Sequence, residues 1–367
     1  MENSYKFRLY PTAAQEQQIQ RTFGCCRFAF NYYLDKRQAL YGASGETMNY
    51  YACSKDLISL KKEHTWIRDV DATALQSSLR NLDLAFQNFF RRVKQGKKPG
   101  YPRFKSKHHH RQFYKSKCVG TNIKVLEDAV QLPKLGKVKC RITRAVSGRV
   151  LSATVSQDPC GHYYVALCCT DVEQEALPST GEAIGLDMGL SSFAVASDGT
   201  TYPNPKYLAQ SQKKLVRLQR KLSRKTKGSM RKEKARKKVA KLHDHIANQR
   251  KDMMHKLSIQ LVRQYDVIAI EDLAHKNMVK NPHLAKSISD ASWGEFRRML
   301  TYKTERYGKT LVVIDRFFPS SQLCSVCGTQ WSGTKDLAVR EWVWVRVCPT
   351  LPYILKGVLR QQAHPLF

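Results

Sequence analysis

The sequence predicts an α/β core interrupted by a basic helical hairpin, preceded by a small antiparallel β domain that carries its own helical insertion. Three observations predict it. Apolar runs at 183–186, 193–196 and 267–270 have the length and composition of buried strands. Between the second and third of them, residues 211–256 hold 18 Lys and Arg against three acids, with leucines at helical spacing. Upstream, residues 122–169 hold short strand-like segments at intervals of roughly a dozen residues, the spacing of a small barrel or sandwich.

Taken in order, Tyr5, Phe7 and Leu9 alternate with Lys6, Arg8 and Tyr10 as one strand. Pro11-Thr12 then opens a helix, with Thr12 as N-cap and Gln15 completing a capping box. Its apolar stripe is Ile19, Phe23, Cys26, Phe30 and Leu34. A second helix over 72–93 buries Leu75, Leu79, Leu82, Phe86 and Phe89 and turns Arg80, Arg91, Arg92 and Lys94 outward. Residues 99–117 read as a Pro/Gly-containing loop in which Tyr101, Arg103, Phe104, Lys105 and Lys107 interleave rings that stack on bases with cations that pair phosphates. A solvated basic linker is the bland alternative, and the three consecutive His at 108–110 have no partner cluster for a metal. Residues 171–180, acidic and then Pro-Ser-Thr, mark a domain boundary.

In the core, Asp187 ends one strand run and Glu271 ends another, so pairing of the two strands sets two carboxylates side by side, an arrangement that suits a hard divalent cation such as Mg²⁺. Asp198-Gly199 signals a hairpin turn. Leu215, Leu218 and Leu222 form one helical stripe; Val239, Leu242, Ile246, Met253, Leu257 and Leu261 form another, with Lys227-Gly228-Ser229 as the turn between them. Arg217, Arg220, Lys221, Arg224, Lys225, Arg231, Arg236, Lys237 and Arg250 of this hairpin are the candidate phosphate contacts. An amphipathic helix (Trp293, Phe296, Leu300, Tyr307) and a last strand at 310–315 follow. This order fits an RNase H-like nuclease core, in which clustered carboxylates hold two Mg²⁺ ions about 4 Å apart.

Composition narrows the function. The balance of 63 Lys+Arg against 30 Asp+Glu, net +33, points to a polyanionic partner, with nucleic acid ahead of an acidic membrane surface. No apolar run is long enough to span a membrane, and the first residues lack a signal-peptide core, so a cytoplasmic location is expected. Eleven scattered Cys do not make a disulfide framework, which fits a reducing compartment.

Several motifs together resemble the transposon-encoded TnpB (OrfB) family of RNA-guided DNA nucleases, relatives of the RuvC domains of type V CRISPR effectors. They are Gly100-Tyr-Pro-Arg-Phe-Lys-Ser-Lys107, Leu132-Pro-Lys-Leu-Gly136, Gly185-Leu-Asp-Met-Gly189, Asn248-Gln-Arg-Lys-Asp252, Ile270-Glu-Asp-Leu273 and Ser320-Ser-Gln-Leu-Cys-Ser-Val-Cys-Gly328. The resemblance implies a wedge-like β-barrel domain (1–10 and 96–178), a helical recognition domain (11–95), and a RuvC-like domain (181–342) with the hairpin at 206–265. It implies Asp187 and Glu271 as the first two metal-binding carboxylates, and Cys324 and Cys327 as half of a zinc finger over 320–350. It also implies a guide RNA encoded at the transposon end and a double-stranded DNA target as partners.

The sequence departs from the family after Glu341-Trp342. No Asp or Glu follows Glu341, where the family supplies a third carboxylate. Cys348 stands as a third zinc ligand, but Leu351 takes the place of the fourth and His364 is wrongly spaced, so the finger is incomplete. Residues 343–367 therefore read as an aberrant tail of the kind a frameshift leaves, and cleavage is expected to be impaired.

Overall fold

The structure, a computed structural model, describes residues 2–108, 111–173 and 176–315. Cys324, Cys327 and Cys348, the zinc-finger region and the tail lie outside the described residues. The chain divides into two compact units, Met1–Glu173 and Gln174–Phe367.

The first unit is built on a seven-stranded antiparallel sheet. Its strands are β1 (Asn3–Tyr10), β2 (Gln112–Lys117), β3 (Lys124–Val125), β4 (Ala129–Leu132), β5 (Gly136–Arg141), β6 (Arg149–Gln157) and β7 (Tyr163–Thr170), in the order β2-β6-β7-β1-β5-β4-β3. The first strand thus lies in the middle, between β5 and β7. Tyr5, Phe7 and Leu9 alternate inward as the sequence predicts, each 3% exposed or less. Two expectations change. Residues 112–117 are a strand rather than loop, burying Tyr114 and Ser116 from the edge of the sheet. In place of the expected barrel or sandwich, the described strands form one open sheet with β2 and β3 outermost, β3 pairing with β4.

Between β1 and β2 the chain makes three helices, α1 (Ala13–Ser44), α2 (Tyr50–Glu63) and α3 (Ala72–Lys94), with a 3-10 turn at Thr65–Asp69. The Thr12 and Gln15 capping box forms in both directions. The Gln15 amide also donates to the carbonyls of Leu135 and Lys137, so one side chain both starts α1 and docks it on the β4–β5 turn. Gly45, at φ 70°, ends the helix with a left-handed cap. Asp71 caps α3 through the Thr73 amide, and Arg91, Arg92 and Lys94 sit in its last turn, where the helix dipole favours cations. No strong periodicity marks α2 in the sequence, because its buried stripe is only Cys53, Leu57 and Leu60.

The second unit holds a five-stranded sheet of β8 (Ala183–Met188), β9 (Ser192–Ala196), β10 (Thr201–Pro203), β11 (Val267–Glu271) and β12 (Thr310–Ile314), in the order β10-β9-β8-β11-β12. β8, β9 and β10 form an antiparallel meander, whereas β11 runs parallel to both β8 and β12. One face carries Ile184, Leu186, Ile268 and Ile270, packed under residues of α5 (Met230–Gln264), α7 (Ala285–Ala291) and α8 (Trp293–Tyr307), including Leu257, Leu261, Ile288, Phe296 and Leu300. A single turn, α6 (His275–Met278), lies between α5 and α7 in the chain. The other face carries a smaller cluster of Ala269 and Val312 with Val267 and Ile314.

The helical hairpin is α4 (Tyr207–Ser223) followed by α5, joined through Gly228 at φ 84° and the N-cap Ser229. Its seam is Leu215, Leu242 and Ile246, with Leu218 and Val239 alongside. Of the two adjacent methionines of α5, Met254 rather than Met253 is fully buried. The eight described cysteines form no disulfides, and six of them are buried. Among the described residues no helix is long and apolar enough to cross a membrane.

Candidate metal centre and nucleic-acid interface

Backbone register brings the two candidate carboxylates together. β8 and β11 are parallel with Leu186 opposite Ile270, so Asp187 and Glu271 are the next residues on adjacent strands, which lie about 4.8 Å apart in any sheet. Both strands are interior to the sheet, so the acids meet at its carboxyl end rather than at an edge strand. Alternation places Glu271 on the same face as Val267 and Ala269. The Asp187 residue is open to solvent at the strand end, yet protein packed behind its carboxylate withdraws water and raises its pKa. The negative charge of Glu271 raises it further, and a hydrogen bond from the Met188 amide opposes the shift.

The neighbouring acids are accounted for differently. Asp272 pairs with Arg297 of α8, and its amide donates to the Ile314 carbonyl. Asp315 follows Ile314, which is in register with Glu271. Asp315 itself lies one residue past the end of β12. Neither acid is in register with Asp187 or Glu271.

The candidate nucleic-acid residues separate into two groups. Arg217, Arg220, Lys221, Arg224, Lys225, Arg231 and Lys237 are exposed along the hairpin, as are Arg103 and Lys107 in the loop before β2. Others have partners within the chain. Arg236 makes a two-pronged bond to Glu233 one turn earlier. Tyr101 packs edge-on against Phe86 and Phe89 of α3, with centroids 5.7 and 5.2 Å away. Lys105 is exposed as a residue, but its ammonium lies 3.8 Å from the centre of the Phe30 ring, and desolvation there lowers its pKa. Phe104 remains half exposed.

Arg250 differs most from a phosphate contact. It donates to the carbonyls of Ser289 and Asp290 and meets the Asp290 carboxylate at 3.4 Å. Asp290 is 8% exposed and also accepts from the Leu208 amide at 3.0 and 3.2 Å. Lys206, at the start of α4, provides no side-chain cap, so Asp290 of α7 caps that helix from a distance. Asp290 and Arg250 thereby fasten both helices of the hairpin to the core. No motif pointed to Asp290, because its partners are 82 and 40 residues away.

Residues 166–282 match the family described as "Probable transposase", 1–46 a "Helix-turn-helix domain", and 293–352 a "Cas12f1-like, TNB domain". In the structure the segment matching the second of these holds one strand and one unbroken helix. A "Putative RNA-guided DNA endonuclease" of Streptomyces pristinaespiralis is 39% identical over 349 residues, covering 93% of this chain and 84% of that protein. A relative in Escherichia coli strain K12, "Putative RNA-guided DNA endonuclease InsQ", is 34% identical over 343 residues, covering 89% and 83%. The protein in a cryo-EM structure of a Cas12f1–sgRNA–target DNA complex shares the fold, with a TM-score of 0.54 at 11% identity over 93% of this chain and 94% of that one. Identity at this level across most of both sequences, together with the transposase match on the segment that bears Asp187 and Glu271, shows that the chain belongs to the TnpB (OrfB) family.

Proposed function

We propose that the chain is a guide-RNA-dependent DNA-binding protein whose second unit is an RNase H-like, RuvC-type nuclease centre with an incomplete set of carboxylates. The observation that carries this reading is the register that sets Asp187 beside Glu271 at the carboxyl end of two parallel strands. Strand order supports it, since the meander of three strands followed by two parallel ones is the RNase H-like arrangement. The relatives' names and the nucleic-acid complex of the structural neighbour support the choice of RNA and double-stranded DNA as partners. In this reading the β sheet of the first unit is the wedge-like domain and α1–α3 the recognition helices.

Asp187 and Glu271 fit a hard divalent cation of the Mg²⁺ class. Desolvation, and then the repulsion between two adjacent carboxylates, raises the pKa of Asp187. Asp187 and Glu271 would hold such a cation, which would supply Lewis-acid chemistry toward a phosphodiester. The residues of this chain hold that position and keep both acids on one face. Two carboxylates leave more of a cation's coordination to water than a two-metal site allows, and residues 342–367 add no further acid. The expected behaviour is therefore guide-directed binding with weak or absent cleavage.

The test is to purify the full chain with RNA from its transposon end and measure both binding and cutting of a matched DNA. Bound RNA, matched-site binding and little cleavage are expected. Robust Mg²⁺-dependent cutting that disappears in Asp187→Ala would overturn the impairment. Absence of any bound RNA would overturn the guided reading.

A further inference from the structure

The first unit holds a cavity of about 380 Å³ between α1, α3, β2 and the loop at 104–106. Its floor is aromatic: Phe23 and Tyr114, 3% and 4% exposed, meet edge to face with centroids 5.8 Å apart. Phe104 and Phe113, each 54% exposed, also line it, Phe113 reaching its rim from the strand face opposite Tyr114. Rings left so open gain little from burial in the fold itself, and their apolar faces stay available to a ligand. The Asn81 amide also lines the cavity.

Charge around this cavity has one sign. Arg27, Lys105, Arg111 and Lys115 line it, and among the described residues no Asp or Glu does. Lys105 is committed to the Phe30 ring, and Arg27 donates to the Gln112 side chain at 3.2 Å. Lys115 stands exposed on β2. An acid-free lining gives a metal ion no carboxylate, and the cations exclude a positively charged ligand. A flat ring that stacks, carries hydrogen-bonding edges and has an anion attached satisfies every feature at once. A volume near the small end of ligand pockets suits one such ring with its sugar and excludes a base pair.

We propose that this cavity takes a single unstacked nucleobase, stacked against Phe104 and Phe113, with its adjoining phosphate on the Arg111 and Lys115 side of the rim. The proposal rests on nucleic acid being the partner, as above, but not on the nuclease centre. The base could come from the RNA or from the DNA strand, since both offer the same ring and phosphate.

The experiment uses the full chain and short duplexes carrying one bulged nucleotide, made as RNA and as DNA. Each is compared with the same duplex carrying an abasic bulge. The base-containing bulge is expected to bind about tenfold more tightly, the effect of one base–aromatic stack. Phe104→Ala and Phe113→Ala are expected to bring that ratio close to one. Taking the ratio within each protein cancels any general loss of affinity, and both rings are exposed enough that their removal spares the core. An advantage seen with RNA alone or DNA alone supports the site and names its source. Equal binding of base and abasic bulges by the unaltered protein, or an advantage that survives both substitutions, overturns it. Failure of the guided reading would look different: loss of matched-site DNA binding, whatever the bulge ratio.

Discussion

At the residue scale, the Asp187 carboxylate is held where its charge is opposed. Burial and then Glu271 raise its pKa, so the folded state keeps this proton to higher pH than the unfolded chain does. Without a cation, this group's contribution to stability therefore falls as pH rises through the carboxylate range. Asp187→Asn removes the charge, and we expect it to raise the melting temperature of the metal-free protein at neutral pH. Millimolar Mg²⁺ should stabilise the unaltered protein and leave the variant unmoved. Equal Mg²⁺ shifts in a thermal melt of both proteins would remove Asp187 from the metal site. Lys303 is a second buried charge, and it lies away from the chemistry. Desolvation lowers its pKa to about 8, while its ammonium donates to the His255 carbonyl and the Ser258 hydroxyl. Between about 8 and the ordinary 10.5 the unfolded chain carries this proton and the folded chain does not, so stability rises with pH across that window. Lys303→Met is accordingly expected to be more stable than the parent below pH 8, by a margin that shrinks towards pH 10 in denaturant melts. A constant margin across that window would mean that folding leaves the pKa of this lysine unchanged.

At the element scale, the hairpin shows what local sequence can and cannot specify. Leucine spacing and the turn at Gly228-Ser229 define two helices and their seam without reference to anything distant. The attachment of the pair is a tertiary matter, carried by Asp290 on the Leu208 amide and on Arg250. Asp290→Ala should cost about 1 kcal/mol for the missing cap, and more for the partner it strips from Arg250. Hydrogen exchange would show it as faster exchange in the first turn of α4 while the middle of α5 stays protected. Uniform loss of protection across the unit would refute a local cap. The β2 strand makes the complementary point. Its cationic and aromatic residues have no apolar alternation, so its pattern matches a loop, and only pairing with β6 reveals the strand. Short stripes hide elements in the same way, as with α2.

On the scale of the whole molecule, a net charge of +33 favours a polyanionic partner, which would relieve its self-repulsion. The hairpin concentrates that charge on exposed side chains held by two long helices. Replacing Arg220, Lys221, Arg224 and Lys225 by Ala should make the slope of log affinity against log salt shallower by about 0.9 for each duplex phosphate that is no longer neutralised. Anisotropy titrations over a range of salt would read that change, and an unchanged slope would mean that other cations hold the phosphates.

The sequence by itself determined that the apolar runs become strands, where the long helices begin, that the charge favours a polyanionic partner, and which two acids end apolar strands. Those properties are written in periodicity, capping residues and composition, all of which act over a few residues or over the sum of the chain. Only the tertiary structure decided that Asp187 and Glu271 are neighbours, since their pairing depends on the register of two parallel strands separated by the whole hairpin. It likewise decided that Arg250 holds the fold together and that Phe104 opens onto a cavity shared with α1, α3 and β2. Register and packing bring together residues that are far apart in the chain, and no local pattern encodes which of them will meet.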